Sequence, residues 1–418
     1  MKKAWKKLSA VLIAATMILA MASTSAADQK YSGLVTNVTN PTTTFDKYLI
    51  MDETTIVPNV NFEITLEAVT GNPKLGIGTT TGIVTGVKYN GAEISDTNKI
   101  TASFTSTSTT YTAVQTGDDI TASQLTGKKY AKDSMTLDFS GVAFTEPGIY
   151  AYKLTESLSN TGSAAVDGTE RYLYVYVEDA GIEGGNNVLD ITGYLFTKAS
   201  DAIDGTGKTT GIINEYPAST LTFGKEVTGN QGSRDKYFKF TVTVSGDNIR
   251  ENDLYTVDNS RAVTNTTANA ATIYETSVMN TANAVTQVTG KQLMEGVDFY
   301  LQDGNYITIL GIPHGSTYNV AEVEEDYTKE NRITIANSSL DWDSSADGVD
   351  ALSDNPSGTL NSDVHTGFTN SKEGVIPTGV LMSVAPVVIV GLIVVGGIVF
   401  FAVRGAKKKA SEAAEEDA

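Results

Sequence analysis

Between residues 30 and 372 apolar side chains recur at every second position in short bursts, and nowhere does a convincing helical period appear. The bursts are rich in Thr, Val, Ile, Tyr and Phe, and Gly, Asn, Asp and Ser separate them: MTLDFSGVAF, IYAYKLTE, RYLYVYVED, YFKFTVTVSG and ITILGIP. A period of two sends alternate side chains to opposite faces of a strand. Many such strands at close spacing predict an all-β chain of β-sandwich domains.

Two stretches share one grammar. The first runs from VPNVNFEITLEAV through EPGIYAYKLTE to GIIN at 211–214, and the second from YFKFTVTVSG through IPHGSTYNVAE to GFTN at 367–370. In each, a Phe-led strand comes early, a turn leads to a Tyr-bearing strand ending in Glu, and a short strand ending in Asn closes the unit. This is an internal repeat of two domains. Their boundary is expected in the Pro-containing EYPAS at 215–219, giving domains over 28–216 and 217–372.

The ends read differently. Lys2, Lys3, Lys6 and Lys7 precede the apolar run LSAVLIAATMILAMA, and small residues follow at Ser25, Ala26 and Ala27. That order predicts a secretory signal peptide over 1–27, cut after Ala26 or Ala27. Val380–Val403 is an uncharged run of 24 residues followed by Arg404, Lys407, Lys408 and Lys409. It is long enough to span a bilayer, with the basic end expected in the cytoplasm. Without these ends, Lys plus Arg falls from 30 to 22 and Asp plus Glu from 49 to 45, a net charge of −23. Such a surface disfavours binding to nucleic acid or anionic lipid. There is no cysteine, which excludes a Cys nucleophile, a Cys–metal site and a thioester, and leaves an extracellular chain without disulfides.

Six polar residues fall on the core phase of their strands. Lys47 shares its phase with Phe45, Leu49 and Met51; Glu156 with Tyr150, Tyr152 and Leu154; Asn214 with Ile212. In the second unit Lys225 lies with Leu221, Phe223 and Val227, Glu322 with Tyr318 and Val320, and Asn370 with Phe368. One such residue at a strand end can snorkel to water. The same ordered triplet in two domains points to chemistry instead, because burying an unpaired ion costs several kcal/mol, roughly. Desolvation lowers a lysine pKa and raises a glutamic acid pKa. A neutral amine is a nucleophile, and a protonated carboxyl polarises an amide carbonyl. The expected reaction is attack of lysine Nζ on the asparagine amide with loss of ammonia. It would join first strand to last by an internal isopeptide bond, with Glu156 and Glu322 as promoters and no cofactor or metal.

The stretches LTFGKEVTGNQGSRDKYFKF, IPHGSTYNVAE and GFTNSKEGVIPTGV, with Ala385–Pro386 in the apolar run, closely resemble the streptococcal-type major pilin, the backbone subunit of sortase-assembled pili. The resemblance runs from about Thr42 to the C terminus. It implies two tandem immunoglobulin-like (CnaB-type) domains, each with a self-formed Lys–Asn isopeptide bond promoted by a Glu. The residues carried over are the same six that strand parity selects. It also implies that Val375, Ile376, Pro377, Thr378 and Gly379 form a variant sorting signal cleaved between Thr378 and Gly379. Pro fixes φ in an extended peptide and Gly permits close approach. The direct Pro377–Thr378 junction departs from the common Leu-Pro-x-Thr-Gly pattern and implies a dedicated pilus sortase. An acceptor lysine is implied shortly before the first domain's last strand: Lys208, six residues before Asn214, with Lys198 as the second candidate. The Tyr-Pro-Lys motif of other backbone pilins is absent, since Tyr216–Pro217 is followed by Ala218. Implied partners are the sortase, further copies of the chain, accessory pilins, peptidoglycan and a host surface.

Two other readings stay open. A singly anchored or tip adhesin shares the anchor and differs only in lacking a transferable lysine. A surface enzyme has little material: only His314 and His365 are present, no Gly loop opens a helix, and Glu324, Glu325 and Asp326 read as a solvated turn. Trp342 in a polar loop could contact a ligand or pack on its own domain.

Overall fold

The computed structural model describes residues 40–69, 79–160, 164, 167–183, 186–198, 200, 205–258, 286–304, 306–323, 325–335, 357–374, 398–400 and 403–404. The signal peptide, the sorting signal at 375–379, most of the apolar run after it and Trp342 lie outside these residues. No helix among the described residues is long and apolar enough to cross a membrane.

The fold is all-β and multidomain. The first unit contains β1 (Thr42–Asp52), β2 (Val60–Ala68), β3 (Ile100–Phe104), β4 (Lys128–Asp138), β5 (Gly148–Asn160), β6 (Arg171–Glu183), β7 (Asn186–Thr197) and β8 (Gly211–Glu215), with shorter strands between them. One sheet carries the order β8-β1-β4 and the other β7-β6-β5-β2-β3. Their facing sides share a core that includes Phe45, Leu49, Phe62, Met135, Tyr150, Tyr152, Leu173 and Ile212. Asn90 and Gly91, both at positive φ (51° and 80°), make the tight turn of a small hairpin at the sheet edge, the conformation that Asn-Gly adopts most readily.

The second unit contains β9 (Ala218–Thr228), β10 (Phe238–Ser245), β11 (Leu254–Asp258), β12 (Gln287–Thr289), the short helix α1 (Gly290–Glu295), β13 (Val297–Leu301), β14 (Tyr306–Pro313), β15 (Ser316–Glu322), β16 (Thr328–Ile335), β17 (Ser357–Leu360) and β18 (Val364–Ser371). Its sheets run β12-β11-β14-β9-β18-β16 and β13-β10-β15-β17, around a separate core that includes Phe223, Phe240, Phe299, Ile309, Val320 and Phe368. In α1 the Thr289 hydroxyl accepts from Gln292 N–H while Gln292 reaches back to Thr289 N–H, so two otherwise orphaned donors are satisfied.

In both units the first strand pairs in parallel with the last: β1 with β8 and β9 with β18. The chain passes from one unit to the next in two residues, Tyr216 and Pro217. Tyr216 N–H donates to Ile50 O at 2.8 Å and His314 N–H to Pro217 O at 3.1 Å. Beside this crossing, Asn59 donates from both its backbone N–H and its side-chain amide to Asp253 Oδ1, each at 2.9 Å, which ties the units together.

Alternation fails in one instructive place. Strand β1 buries Tyr48 and Ile50 as well as Phe45, Lys47, Leu49 and Met51. The outer face of its sheet is covered by the segment bearing Ile120 and Leu125, which packs with Tyr48, Ile50 and Tyr130 into a satellite core. Both faces of the strand are therefore dry.

Candidate functional site: two buried lysine, glutamate and asparagine triads

Lys47 on β1 and Asn214 on β8 come from one sheet, and Glu156 on β5 reaches them from the facing sheet. All three are buried, with 0 %, 3 % and 4 % of their surface exposed. Lys47 Nζ lies 2.6 Å from Glu156 Oε1 and donates to Asn214 Oδ1. Asn214 Nδ2 donates to Glu156 Oε2 at 2.9 Å, which closes the triangle. A second donor, Asp167 N–H, holds Glu156 Oε2 at 2.7 Å, and Asp167 is itself gripped by Arg171.

The second unit repeats the arrangement. Lys225 on β9, Glu322 on β15 and Asn370 on β18 are 3 %, 4 % and 2 % exposed. Lys225 Nζ lies 2.9 Å from Glu322 Oε1, and Asn370 Nδ2 donates to the same oxygen at 2.8 Å. Lys225 donates to Phe368 O at 3.4 Å rather than to the asparagine. Asn370 Oδ1 and Glu322 Oε2 are buried with no hydrogen-bond partner, so this triad is joined through its glutamate alone.

Burial sets the chemistry of both lysines. Lys47 is pushed down to about 8, chiefly by desolvation and against the pull of the Glu156 charge. Lys225 is likewise pushed down to about 8, with Glu322 opposing. At neutral to mildly alkaline pH each amine thus has a substantial uncharged fraction, unlike an exposed lysine. Lysine, carboxyl and amide together in a dry pocket can carry out amide transfer, with the carboxyl handling protons while ammonia leaves.

Sequence parity omits the aromatic wall of each pocket. Lys47 Nζ stands 4.3 Å from the centroid of the Phe62 ring and Lys225 Nζ 4.5 Å from that of Phe238. These rings lie early in β2 and at the start of β10, the strands whose early Phe forms part of the repeat. That correspondence was the available signal. Asp167 and Arg171 had none, because a loop contact leaves no periodic trace.

The two candidate acceptor lysines lie side by side between β7 and β8, Lys198 just after β7 and Lys208 in the turn at 205–208. Thr197 bridges to Lys208, Lys198 N–H donates to Gly207 O at 3.0 Å, and both lysine side chains are exposed. The sorting signal, Val375 to Gly379, lies outside the described residues. Glu325 and Asp326 pair with Lys236 and Lys372. Among the described residues no cluster of His, Asp and Glu could hold a metal ion. The structure does bring one pair together that sequence reasoning missed: Ser219 Oγ lies 2.7 Å from His314 Nε2. Ser219 is only 4 % exposed and sits at the crossing between the units, so the contact braces that junction and offers no nucleophile to a substrate.

The chain is thus a tandem of all-β units, each with a buried lysine–glutamate–asparagine triad. The resemblance to a streptococcal pilin is shown by sequence: the chain is similar to a pilin of Streptococcus pyogenes serotype M1, 29 % identical over 265 residues, covering 63 % of this chain and 69 % of that one. Residues 219–372 match a family described as a domain of unknown function, DUF7601. Among solved structures, the major pilin of Streptococcus pyogenes aligns over 81 % of this chain and 100 % of its own, at 21 % identity and a TM-score of 0.47. A pilus-presented adhesin, Cpa, aligns over 52 % of this chain and 39 % of its own, at 18 % identity and a TM-score of 0.25.

Proposed function

We propose that this chain is a structural pilus subunit, the backbone unit of a sortase-assembled fibre on a Gram-positive cell surface, and that it is a substrate rather than an enzyme. The observation that carries this reading is the recurrence, in two successive domains, of a buried triad linking the first strand to the last. In each triad the uncharged lysine amine attacks the asparagine Cγ, ammonia departs, and an amide bridges the strands. Two such bonds would do in a cysteine-free extracellular chain what disulfides do elsewhere, and they resist reduction.

Polymerisation is the second covalent step. Pilus sortase cleaves after Thr378 and holds its carbonyl as a thioester; the amine of Lys208 on another copy displaces the sortase thiol and forms an inter-subunit amide. The apolar run and basic tail hold the precursor at the membrane until that transfer, and the final acceptor is peptidoglycan. Similarity to a curated pilin supports the coarse reading.

The test is co-expression with a pilus sortase, followed by boiled detergent gels of wall extracts. A ladder of high-mass species that collapses to monomer in Lys208→Ala supports the backbone role. Single-copy mass in the wild type instead makes the chain a singly anchored adhesin.

A further inference from the structure

Besides its backbone bonds to the end of β7, the turn that carries Lys208 is held by one side chain from elsewhere in the chain. Asp119 sits in the segment that covers the outer face of the first sheet. Its Oδ2 accepts from the Thr209 hydroxyl, the side chain next to Lys208, and lies 3.2 Å from Lys198 Nζ. Thr209 is buried, 3 % exposed, and its Oγ1 lies 3.0 Å from Gly211 O at the start of β8. The segment bearing Asp119 is itself anchored: Asp119 N–H donates to Tyr48 OH at 3.4 Å, and the neighbouring Asp118 accepts from Lys132 at 2.8 Å and from Tyr130 OH. The turn is tight, with Gly205 and Gly207 at φ of 88° and 70°.

We propose that Asp119 is the positioning residue of the acceptor site: it locks the turn against the sheet and occupies Lys198, so that Lys208 presents its amine to the incoming acyl-enzyme. This rests on the sortase-substrate reading above. Lys198 and Lys208 lie side by side, so the local sequence alone does not discriminate between them; the carboxylate does. Lys198 Nζ is held 3.2 Å from the Asp119 carboxylate, whereas the described contacts of Lys208 include no ion pair. In the transfer, uncharged Lys208 Nζ bonds to the Thr378 carbonyl carbon of another copy, the carbon–sulfur bond breaks, and the sortase thiolate leaves with the proton that the new amide nitrogen gives up.

The test uses the exported chain with its sorting signal and a purified pilus sortase. Release of the donor half by hydroxylamine, transfer between copies, and the mapped linkage site are measured for wild type, Asp119→Ala and Asp119→Asn. Positioning errors of about 1 Å can cost up to 100-fold, so Asp119→Ala is expected to lower transfer at Lys208 by about tenfold or more while hydroxylamine release stays unchanged. It should also divert part of the linkage to the released Lys198, which simple loss of stability would not do. Asp119→Asn, whose amide oxygen still accepts from Thr209, should recover most of the transfer at Lys208. Wild-type kinetics and an unchanged linkage map in both variants overturn the proposal, as does a wild-type linkage at Lys198. If hydroxylamine releases the donor but no copy-to-copy linkage forms at either lysine, both this proposal and the polymerisation reading fail; if not even hydroxylamine releases it, the sorting-signal reading fails as well.

Discussion

Lys47 lies opposite Ile212 on the adjacent parallel strand, two residues short of Asn214, and Lys225 lies opposite Phe368, two residues short of Asn370. The same stagger in both domains has a geometric origin. Residues two apart on a strand share a face, so the lysine and asparagine point into the same core, and the long lysine stem spans the diagonal. The glutamate arrives from the facing sheet, opposite Ile64 in one domain and Phe240 in the other. Only a two-layer fold with first and last strands side by side assembles all three.

Covalent closure has a direct mass signature. Each bond expels one ammonia, so the exported chain should weigh about 17 Da less per bond, or about 34 Da in all. Asn214→Ala and Asn370→Ala should each cancel one decrement in intact-mass spectra. A wild-type mass equal to that of the unmodified sequence would remove the internal bonds from the account.

Loss of a bond should weaken the fold sharply. The loop closed by Lys47 and Asn214 spans 167 residues. By the chain-entropy reasoning used for disulfides, closing a loop of that size, or the second loop of about 145 residues, stabilises by about 5 kcal/mol. Glu156→Ala and Glu322→Ala should each leave their lysine and asparagine unjoined and lower the midpoint of the corresponding transition in guanidinium unfolding.

Bond formation should follow the lysines' charge. Both amines are pushed down to about 8 by burial, so the rate after refolding should rise about tenfold per pH unit below 8 and level off above it. In a bond-free Asn214→Ala chain the unfolded lysine, at its ordinary 10.5, binds more protons than the folded one between about 8 and 10.5. Stability must therefore increase with pH across that window and be lowest below it. Urea titrations at pH 7, 9 and 10 check the sign.

The aromatic walls should matter for rate as well as packing. Phe62 and Phe238 keep water from the amines, so Phe62→Ala should slow the first bond by about tenfold by letting the lysine regain its charge, and destabilise by about 3–5 kcal/mol. Phe62→Leu keeps an apolar wall and should form the bond at close to the wild-type rate. Timed refolding followed by mass spectrometry separates the two.

Strand parity marked Lys47, Glu156, Asn214, Lys225, Glu322 and Asn370 because a period of two is a local property, written in every second residue and legible without the fold. The same rule went astray at Tyr48 and Ile50, which are buried on the opposite face. That face is covered by the distant Ile120 and Leu125, and a strand does not record whether something far along the chain will cover its outer side.

The sequence by itself determined the alternation, the repeat of two units, and the inward phase of six polar residues, since each depends only on neighbours along the chain. Tertiary structure decided which groups meet. The parallel pairing of first and last strands, the two-residue stagger, the rings of Phe62 and Phe238 beside the amines, and the grip of Asp119 on the turn bearing Lys208 all join residues far apart in the chain. Such contacts exist only once the hydrophobic cores have closed, because it is burial of those cores that fixes the register between distant strands.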